Sequence, residues 1–287
     1  AAAASCAAAA AAAHDDAAVA ACDDTTPRSM FDLKGRTAMV TGASRGIGYA
    51  IAVGLAENGA RVIMCGTNEQ TLLEARVSLL EAVPGAKVSV SAFDVGDADA
   101  CVEAVARAVK ETGSTPDILV NNAGINVRSP LPDFTTPNFE RVLRTNLVGP
   151  FVLSRECCKG MKEKGWGRII NVGSIMGLVG REGLHAYVSS KHAITGLTKS
   201  MAAELASCGV TVNAIAPGYI ATDLTAPLQQ NSRFDFEVRN QTPAGRWAAT
   251  HELAGPAVFL ASDAATYVNG ATLVVDGAMS STFHFKP

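Results

Sequence analysis

Thr41-Gly42-Ala43-Ser44-Arg45-Gly46-Ile47-Gly48 is the stretch on which the fold turns. It follows the apolar run Arg36 to Thr41 and opens a segment, Ile47 to Asn58, of helical character that stops at Gly59. A glycine-rich turn between a strand and a helix start brings free backbone amides against a phosphate. Gly42 permits the tight turn, Gly46 lets the backbone approach a pyrophosphate, and Gly48 allows close packing of the helix. With Ser44, Arg45 and Ile47 on the same turn, the stretch predicts a dinucleotide site; the bland alternative is a plain tight turn.

Outward from this turn, strand and helix alternate. Strands are expected at Arg61–Cys65, Lys87–Phe93, Ile118–Asn121, Arg168–Val172, Val210–Ala214 and Ala271–Val275. Helices are expected at Glu69–Ala82, Asp97–Glu111, Asn138–Lys164, Ala186–Ala206 and Glu252–Ala261. The strands are continuous apolar runs, not half-polar alternations, which is the signature of a parallel sheet covered on both faces. The expected fold is therefore α/β: a Rossmann-type doubly wound parallel sheet in a three-layer sandwich, with ligands beyond the carboxyl ends of the strands. No Pro/Gly-rich linker divides the chain, so residues 31–287 read as a single NAD(P)-binding catalytic domain.

Residues 1–30 are alanine-rich and are expected to be a disordered tail. Within them, Ala1 to Ala21 lacks both the Leu-rich centre of a secretory signal and the arginines of a mitochondrial presequence, and a processed targeting segment is the alternative. The 287 residues are 48% hydrophobic and 18% charged, enough for a large core and too apolar for disorder. Net charge is -3, from 24 Lys and Arg against 27 Asp and Glu, which favours neither nucleic acid nor an anionic membrane as partner. No apolar run is long enough to span a bilayer. The 7 Cys form no regular framework and read as reduced thiols in a cytoplasmic setting. The 5 His show no metal-binding spacing, and no metal is expected.

The choice of nicotinamide falls to the end of the second strand. NAD sites place a carboxylate there for the ribose hydroxyls. Here the chain reads Met64-Cys65-Gly66-Thr67-Asn68, with no acid until Glu69. Thr67 and Asn68 would not repel a 2′-phosphate, and Arg45 adds a positive charge, so NADP is the expected cofactor. Asp94 and Val95, after the third strand, suit the adenine. Asn122-Ala123-Gly124 ends the fourth strand, where glycine permits close approach of the backbone; Asn122 either contacts cofactor or braces the turn.

Tyr187 and Lys191 lie four apart at the start of a helix and so share a face. A tyrosine is a poor base near neutrality, but a neighbouring ammonium stabilises its phenolate. Tyr187 can then exchange a proton with a substrate oxygen, while Lys191 also suits the nicotinamide ribose. Ser174, just past a strand, can bond the same oxygen, and Asn146 can carry water linking Lys191 to solvent.

Together, Thr41 to Gly48, Asn121 to Gly124, Asn146, Ser174, Tyr187 to Lys191 and Pro217-Gly218 resemble the classical short-chain dehydrogenase/reductase family over about Phe31 to Met279. The resemblance implies a catalytic tetrad of Asn146, Ser174, Tyr187 and Lys191, pro-S hydride transfer, and interconversion of a secondary alcohol and ketone. It implies that Pro217, Gly218 and Ile220 border the cofactor, that Thr222 bonds its carboxamide, and that the following segment closes over substrate. A homotetramer or homodimer is the usual assembly. Within the family the chain is most similar to gluconate 5-dehydrogenases, through Asn126 to Pro130, Gly218 to Thr222 and Thr242 to Trp247.

That similarity makes Arg128 the expected partner of a sugar-acid carboxylate, alongside Ser174 and Tyr187 as substrate-binding residues. Arg181 and His185 are placed near the substrate mouth. Leu228, Phe234 and Phe236 suit an apolar cavity, whereas Arg233 and Arg239 suit a carboxylate. Arg246 and Trp247 suit the lid base or a subunit contact. The expected substrate pair is D-gluconate and 5-keto-D-gluconate; a 3-oxoacyl-[acyl-carrier-protein] reductase, or a reductase of another ketose, polyol or bulky ketone, is the alternative.

Overall fold

In β1 (Thr37–Thr41) all five residues are buried, and successive side chains leave for opposite faces. Ala38 and Val40 join one apolar core and Met39 the other. The structure, a computed structural model, describes residues 29–282; residues 1–28 of the expected alanine-rich tail lie outside the described residues.

The same two-sided burial recurs in β2 (Arg61–Gly66), β4 (Ile118–Asn121), β5 (Gly167–Val172) and β6 (Val210–Pro217). With β3 (Val88–Ala92) and a last strand, β9 (Thr272–Val275), they form a sheet of order β3-β2-β1-β4-β5-β6-β9 among the described residues. Every pairing is parallel; Val40 lies against Met64 of β2 and Val120 of β4. A separate small pair joins β7 (Ile220–Ala221) to β8 (Ala248–Ala249). The strand order reverses direction on either side of β1, so the crevice at the carboxyl ends of β1 and β4 is the ligand position for this topology.

One face of the sheet carries α1 (Gly46–Glu57), α2 (Glu69–Ala82) and α9 (Ala254–Ala261), through Ile51, Leu55, Leu72, Leu79 and Val258. The other carries α3 (Ala98–Thr112), α5 (Gly149–Lys164) and α6 (His185–Leu205), through Cys101, Val105, Leu153, Met161 and Leu205. Asn68 caps α2 by accepting from the Thr71 amide at 3.0 Å, and Asp97 caps α3 by accepting from Asp99 and Ala100. Gly113 and Gly165, both left-handed, end α3 and α5.

The single long helix expected over Asn138–Lys164 is broken. It consists of α4 (Thr136–Leu143), a π-helical turn over Arg144–Val148, and α5. Pro150 is the physical reason. It has no N–H to return to the carbonyl of Asn146, and its ring would crowd that carbonyl in a regular helix. The wide turn relieves the clash and turns Asn146 inward, where it is buried. β6 also runs three residues past the expected end, to Pro217, because Ala216 and Pro217 pair with Val274 and Val275. Beyond β7, α7 (Ala226–Gln230) and α8 (Ser232–Gln241) form a lid over the carboxyl edge of the sheet.

Candidate active site

The glycine turn leaves no room for side chains. A Cβ on Gly48 would lie 2.3 Å from the Gly42 carbonyl oxygen and 2.4 Å from Asn122 Nδ2. Gly42 and Gly46 both have left-handed backbone, with φ of 63° and 61°. Asn122 donates through Nδ2 to the carbonyls of Thr41 at 2.8 Å and Gly42 at 3.2 Å. Asn122 therefore braces the turn. Thr41 reciprocates, its hydroxyl accepting the amides of Asn122 and Ala123, both at 3.0 Å. This role of Thr41 was not read from the sequence, although a hydroxyl beside the first glycine is a visible signal.

α1 differs from α2 and α3 in having neither a side-chain cap nor an acid in its first turn. Its free amides face the turn beside the exposed Arg45, an arrangement that fits a phosphate. The Ala43 amide donates to the Cys65 carbonyl at 3.0 Å, and the Phe93 amide donates to the Gly66 carbonyl at 2.8 Å. Ser44 and Ile47 in the turn, Thr67 and Asn68 after β2, and Asp94 and Val95 after β3 thus follow one another along the sheet edge. Asn68 has its side-chain oxygen committed to the α2 cap, and Asp94 accepts from the Gly96 amide at 2.8 Å. Across the turn, the Thr222 methyl lies 3.6 Å from where a Cβ on Gly46 would sit. The flap that begins at Pro217, Gly218 and Ile220 therefore crosses the expected cofactor path.

Gly124 joins this path to the tetrad. A Cβ there would lie 3.3 Å from Asn146 Oδ1 and 3.7 Å from Lys191 Nζ, filling the space before them. The glycines, the uncapped helix and this gap are what a nicotinamide dinucleotide requires, so the residues present fit the group. Asn146 accepts the Ile125 amide at 2.8 Å and donates to the Ile125 carbonyl at 2.9 Å and Ser190 Oγ at 3.1 Å. Its side-chain amide protons are spent on protein partners.

Ser174 follows β5 and accepts the Met176 amide at 3.1 Å. It also faces the Tyr187 hydroxyl closely enough to lower the phenol's pKa by hydrogen bonding, yet burial wins and holds that pKa above its ordinary value. Lys191 is buried, donates to the Val172 carbonyl at 2.8 Å, and has its pKa pushed down to about 8 by desolvation. Its ammonium lies 5.5 Å from the Tyr187 ring centre. In the chain by itself the Tyr187 shift is therefore upward, set by burial against the Ser174 hydrogen bond, where the sequence reading expected the ammonium to lower it.

A cavity of about 520 Å³ opens beside Ser174, between Ile175–Arg181, Tyr219, α8 and Met279–Ser280. Arg181, Arg233 and Phe234 line it, whereas Leu228 does not. Phe236, two residues along α8 from Phe234, is 63% exposed on the outer side. Arg239 pairs with Asp235 at 2.7 Å rather than meeting the cavity. Arg246 forms a two-point pair with Glu252 at 2.7 and 2.8 Å, and Trp247 is buried at the lid base. His185 packs edge-on against Phe134 at 5.7 Å, outside the cavity lining. Arg128 has its pKa lowered first by burial and next by the charge of Arg181, and raised by Tyr219, so these three groups are neighbours. Tyr219 was missed in the sequence, where nothing marks it within Gly218 to Thr222. Among the described residues no cluster of His, Cys, Asp or Glu could hold a metal ion, and no helix is long and apolar enough to cross a membrane.

The sheet order, the glycine turn and the Asn146-Ser174-Tyr187-Lys191 group define an oxidoreductase of nicotinamide-binding type. The chain belongs to the classical short-chain dehydrogenase/reductase family and is an NAD(P)-dependent enzyme. Residues 42–280 match the family model described as "Enoyl-(Acyl carrier protein) reductase". The chain is 41% identical over 251 residues to the gluconate 5-dehydrogenase of Gluconobacter oxydans, covering 88% of this chain and 97% of that one. It is 42% identical over 248 residues to the 3-oxoacyl-[acyl-carrier-protein] reductase of Vibrio cholerae, covering 86% and 98%. It also superposes on the crystal structure of a gluconate 5-dehydrogenase from Burkholderia cenocepacia in complex with NADP and tartrate. That match has a TM-score of 0.84 and 38% identity, and covers 88% of this chain and 98% of that one.

Proposed function

We propose that the protein uses NADP(H) to interconvert D-gluconate and 5-keto-D-gluconate. The observation that carries this reading is a pair of arginines: Arg181 lines the cavity, and Arg128, outside the lining, is close enough for the Arg181 charge to perturb it. Among the described residues neither forms an ion pair with a protein carboxylate. Two neighbouring guanidinium groups repel, and an anionic ligand relieves that repulsion. A sugar acid supplies the anion at one end and the reacting carbonyl further along the same chain. The similarity to gluconate 5-dehydrogenases supports the same reading.

NADP rather than NAD is supported by the exposed Arg45 and by the acid-free end of β2 at Thr67 and Asn68. The bound nicotinamide would supply or accept two electrons and a proton's worth of hydrogen at the substrate carbon. Everything else is done by the chain. Tyr187 donates its hydroxyl proton to the ketone oxygen during reduction and recovers it during oxidation. Ser174 holds that oxygen and the Tyr187 hydroxyl in one hydrogen-bonding group. Lys191, charged near neutrality, supplies the positive field that a buried phenolate needs. Asn146 fixes the Ile125 backbone at the end of the β4 loop. A homotetramer or homodimer in the cytoplasm belongs to the same proposal. Val148 and Phe151, 41% and 43% exposed near the start of α5, supply an apolar face for such an assembly.

A 3-oxoacyl thioester is the rival substrate, supported by the comparable similarity to acyl-carrier-protein reductases. Oxidation of D-gluconate by the purified protein with NADP, with the product assigned by NMR, separates the two. The proposal expects 5-keto-D-gluconate; oxidation at another carbon, or none beside rapid turnover of a 3-hydroxyacyl thioester, overturns it.

A further inference from the structure

Arg181 stands apart from the other cavity residues in how it is mounted. It lies on the irregular segment between β5 and α6, where nothing in local geometry demands an arginine. Its Nη1 donates to the Tyr219 hydroxyl. Its guanidinium rests over the Phe234 ring of α8, 5.0 Å from the ring centre. Phe234 in turn meets Tyr219 edge-on at 5.8 Å and leans on Trp247 at 6.3 Å. Trp247 packs edge-on against Tyr219 at 5.2 Å and donates its indole N–H to Asp235 at 2.8 Å. A floor residue is thus held by a flap tyrosine and a lid phenylalanine, which are themselves locked to the lid base.

This mounting fixes the direction of the guanidinium while leaving most of its hydrogen-bonding capacity open. Only Nη1 is committed by a hydrogen bond, and to a phenol rather than a carboxylate. Glu237 lines the same cavity but makes no ion pair with Arg181. An arginine side chain has much rotamer freedom to lose, and a pre-oriented fork loses less of it on meeting a carboxylate. Packing of the three rings on one another and of the guanidinium on Phe234 favours this arrangement and supports the fork.

We infer that Arg181 is a specificity-determining residue that grips the substrate carboxylate, and that Tyr219 and Phe234 are positioning residues that aim it. The inference rests on the sugar-acid reading and deepens it: the acid end of the substrate lies against the lid side of the cavity, and engaging it ties the floor to α8. Substrates without a carboxylate forgo that tie. Arg128 contributes a second positive charge from the β4 loop, with less of its orientation fixed by protein.

The test is Arg181→Gln, with Arg181→Lys and Tyr219→Phe beside it, measured on the full chain. Two readouts are taken: steady-state reduction of 5-keto-D-gluconate and of the neutral D-fructose with NADPH, and calorimetric binding of D-gluconate to the NADPH-loaded protein, a pair that cannot react. Arg181→Gln is expected to raise the KM for 5-keto-D-gluconate about 30-fold, more than it lowers kcat, and to weaken D-gluconate binding by a similar factor. The preference for acid over neutral ketose, as a ratio of kcat/KM, is expected to fall at least about tenfold. Arg181→Lys should recover part of the loss, since charge returns without the fork, and Tyr219→Phe should show a smaller KM effect of the same kind. Equal losses on acid and neutral ketose, or unchanged D-gluconate binding in Arg181→Gln, overturn the inference while leaving the sugar-acid reading intact. Should the wild type reduce no sugar acid yet bind D-gluconate through Arg181, the sugar-acid reading falls and the carboxylate grip stands. Absence of D-gluconate binding to the wild type overturns both.

Discussion

Replacing Lys191 with methionine should expose how much stability the active site gives up to hold a buried charge. Burial lowers the Lys191 pKa from 10.5 to about 8. At about 1.4 kcal/mol per pKa unit, keeping it charged at pH 7 costs the folded chain about 3 kcal/mol. Lys191→Met removes that cost but leaves the Val172 carbonyl without its 2.8 Å donor, a loss of about 1–3 kcal/mol. The net change at pH 7 is therefore a gain of roughly 0–2 kcal/mol, with catalysis lost. The sharper quantity is its pH dependence. Between pH 8 and 10.5 the unfolded chain holds a proton at residue 191 that the folded chain has released, so wild-type stability rises with pH through this window relative to the variant. At pH 9.5 the cost has fallen to about 1.5 kcal/mol. The Val172 term does not titrate, so the difference between wild type and variant should shift by about 2 kcal/mol from pH 7 to 9.5 in favour of the wild type. Urea denaturation of both proteins at fixed protomer concentration measures this. Parallel stability curves across the two pH values would refute the claim that Lys191 is held charged against its desolvation.

Tyr187→Phe removes the proposed proton donor while keeping the ring. Reduction should fall by about 10²–10⁴-fold, with NADPH affinity by fluorescence titration changed less than about threefold. Arg45→Ala should raise the NADPH KM about tenfold and leave the NADH KM nearly unmoved, since only NADPH carries the extra phosphate. Gly48→Ala drives a Cβ to 2.3 Å from the Gly42 carbonyl, so the turn must shift. An overpacking cost of about 1–3 kcal/mol should appear in thermal melts, together with weakened cofactor binding; a wild-type melting temperature would contradict the close packing.

The sheet was legible because strands buried on both faces are written as unbroken apolar runs, and each is punctuated by a glycine or a polar cap. The glycine turn, Ser174, Tyr187 and Lys191 were legible for a related reason: their chemistry depends on spacing along one strand end or one helix turn. The break before α5 was also written in the chain, as Pro150, but the apolar content around it masks the interruption. What the sequence could not reveal depends on contacts between distant segments. The partnership of Arg181 with Tyr219 spans 38 residues, and that of Asp235 with Trp247 joins a helix to a loop. Helix phase separated Phe234 from Phe236, and a local ion pair withdrew Arg239. The sign of the Tyr187 shift also escaped, because desolvation is a property of the assembled core and not of the Tyr-Lys spacing.

The most direct test is a comparison of kcat/KM with NADPH on 5-keto-D-gluconate and on an acetoacetyl thioester, using the purified protein. The account predicts that 5-keto-D-gluconate is reduced at least about a hundredfold more efficiently, a margin of under 3 kcal/mol that two arginines facing one carboxylate can supply. Preference for the thioester would contradict it and assign the cavity to acyl chains.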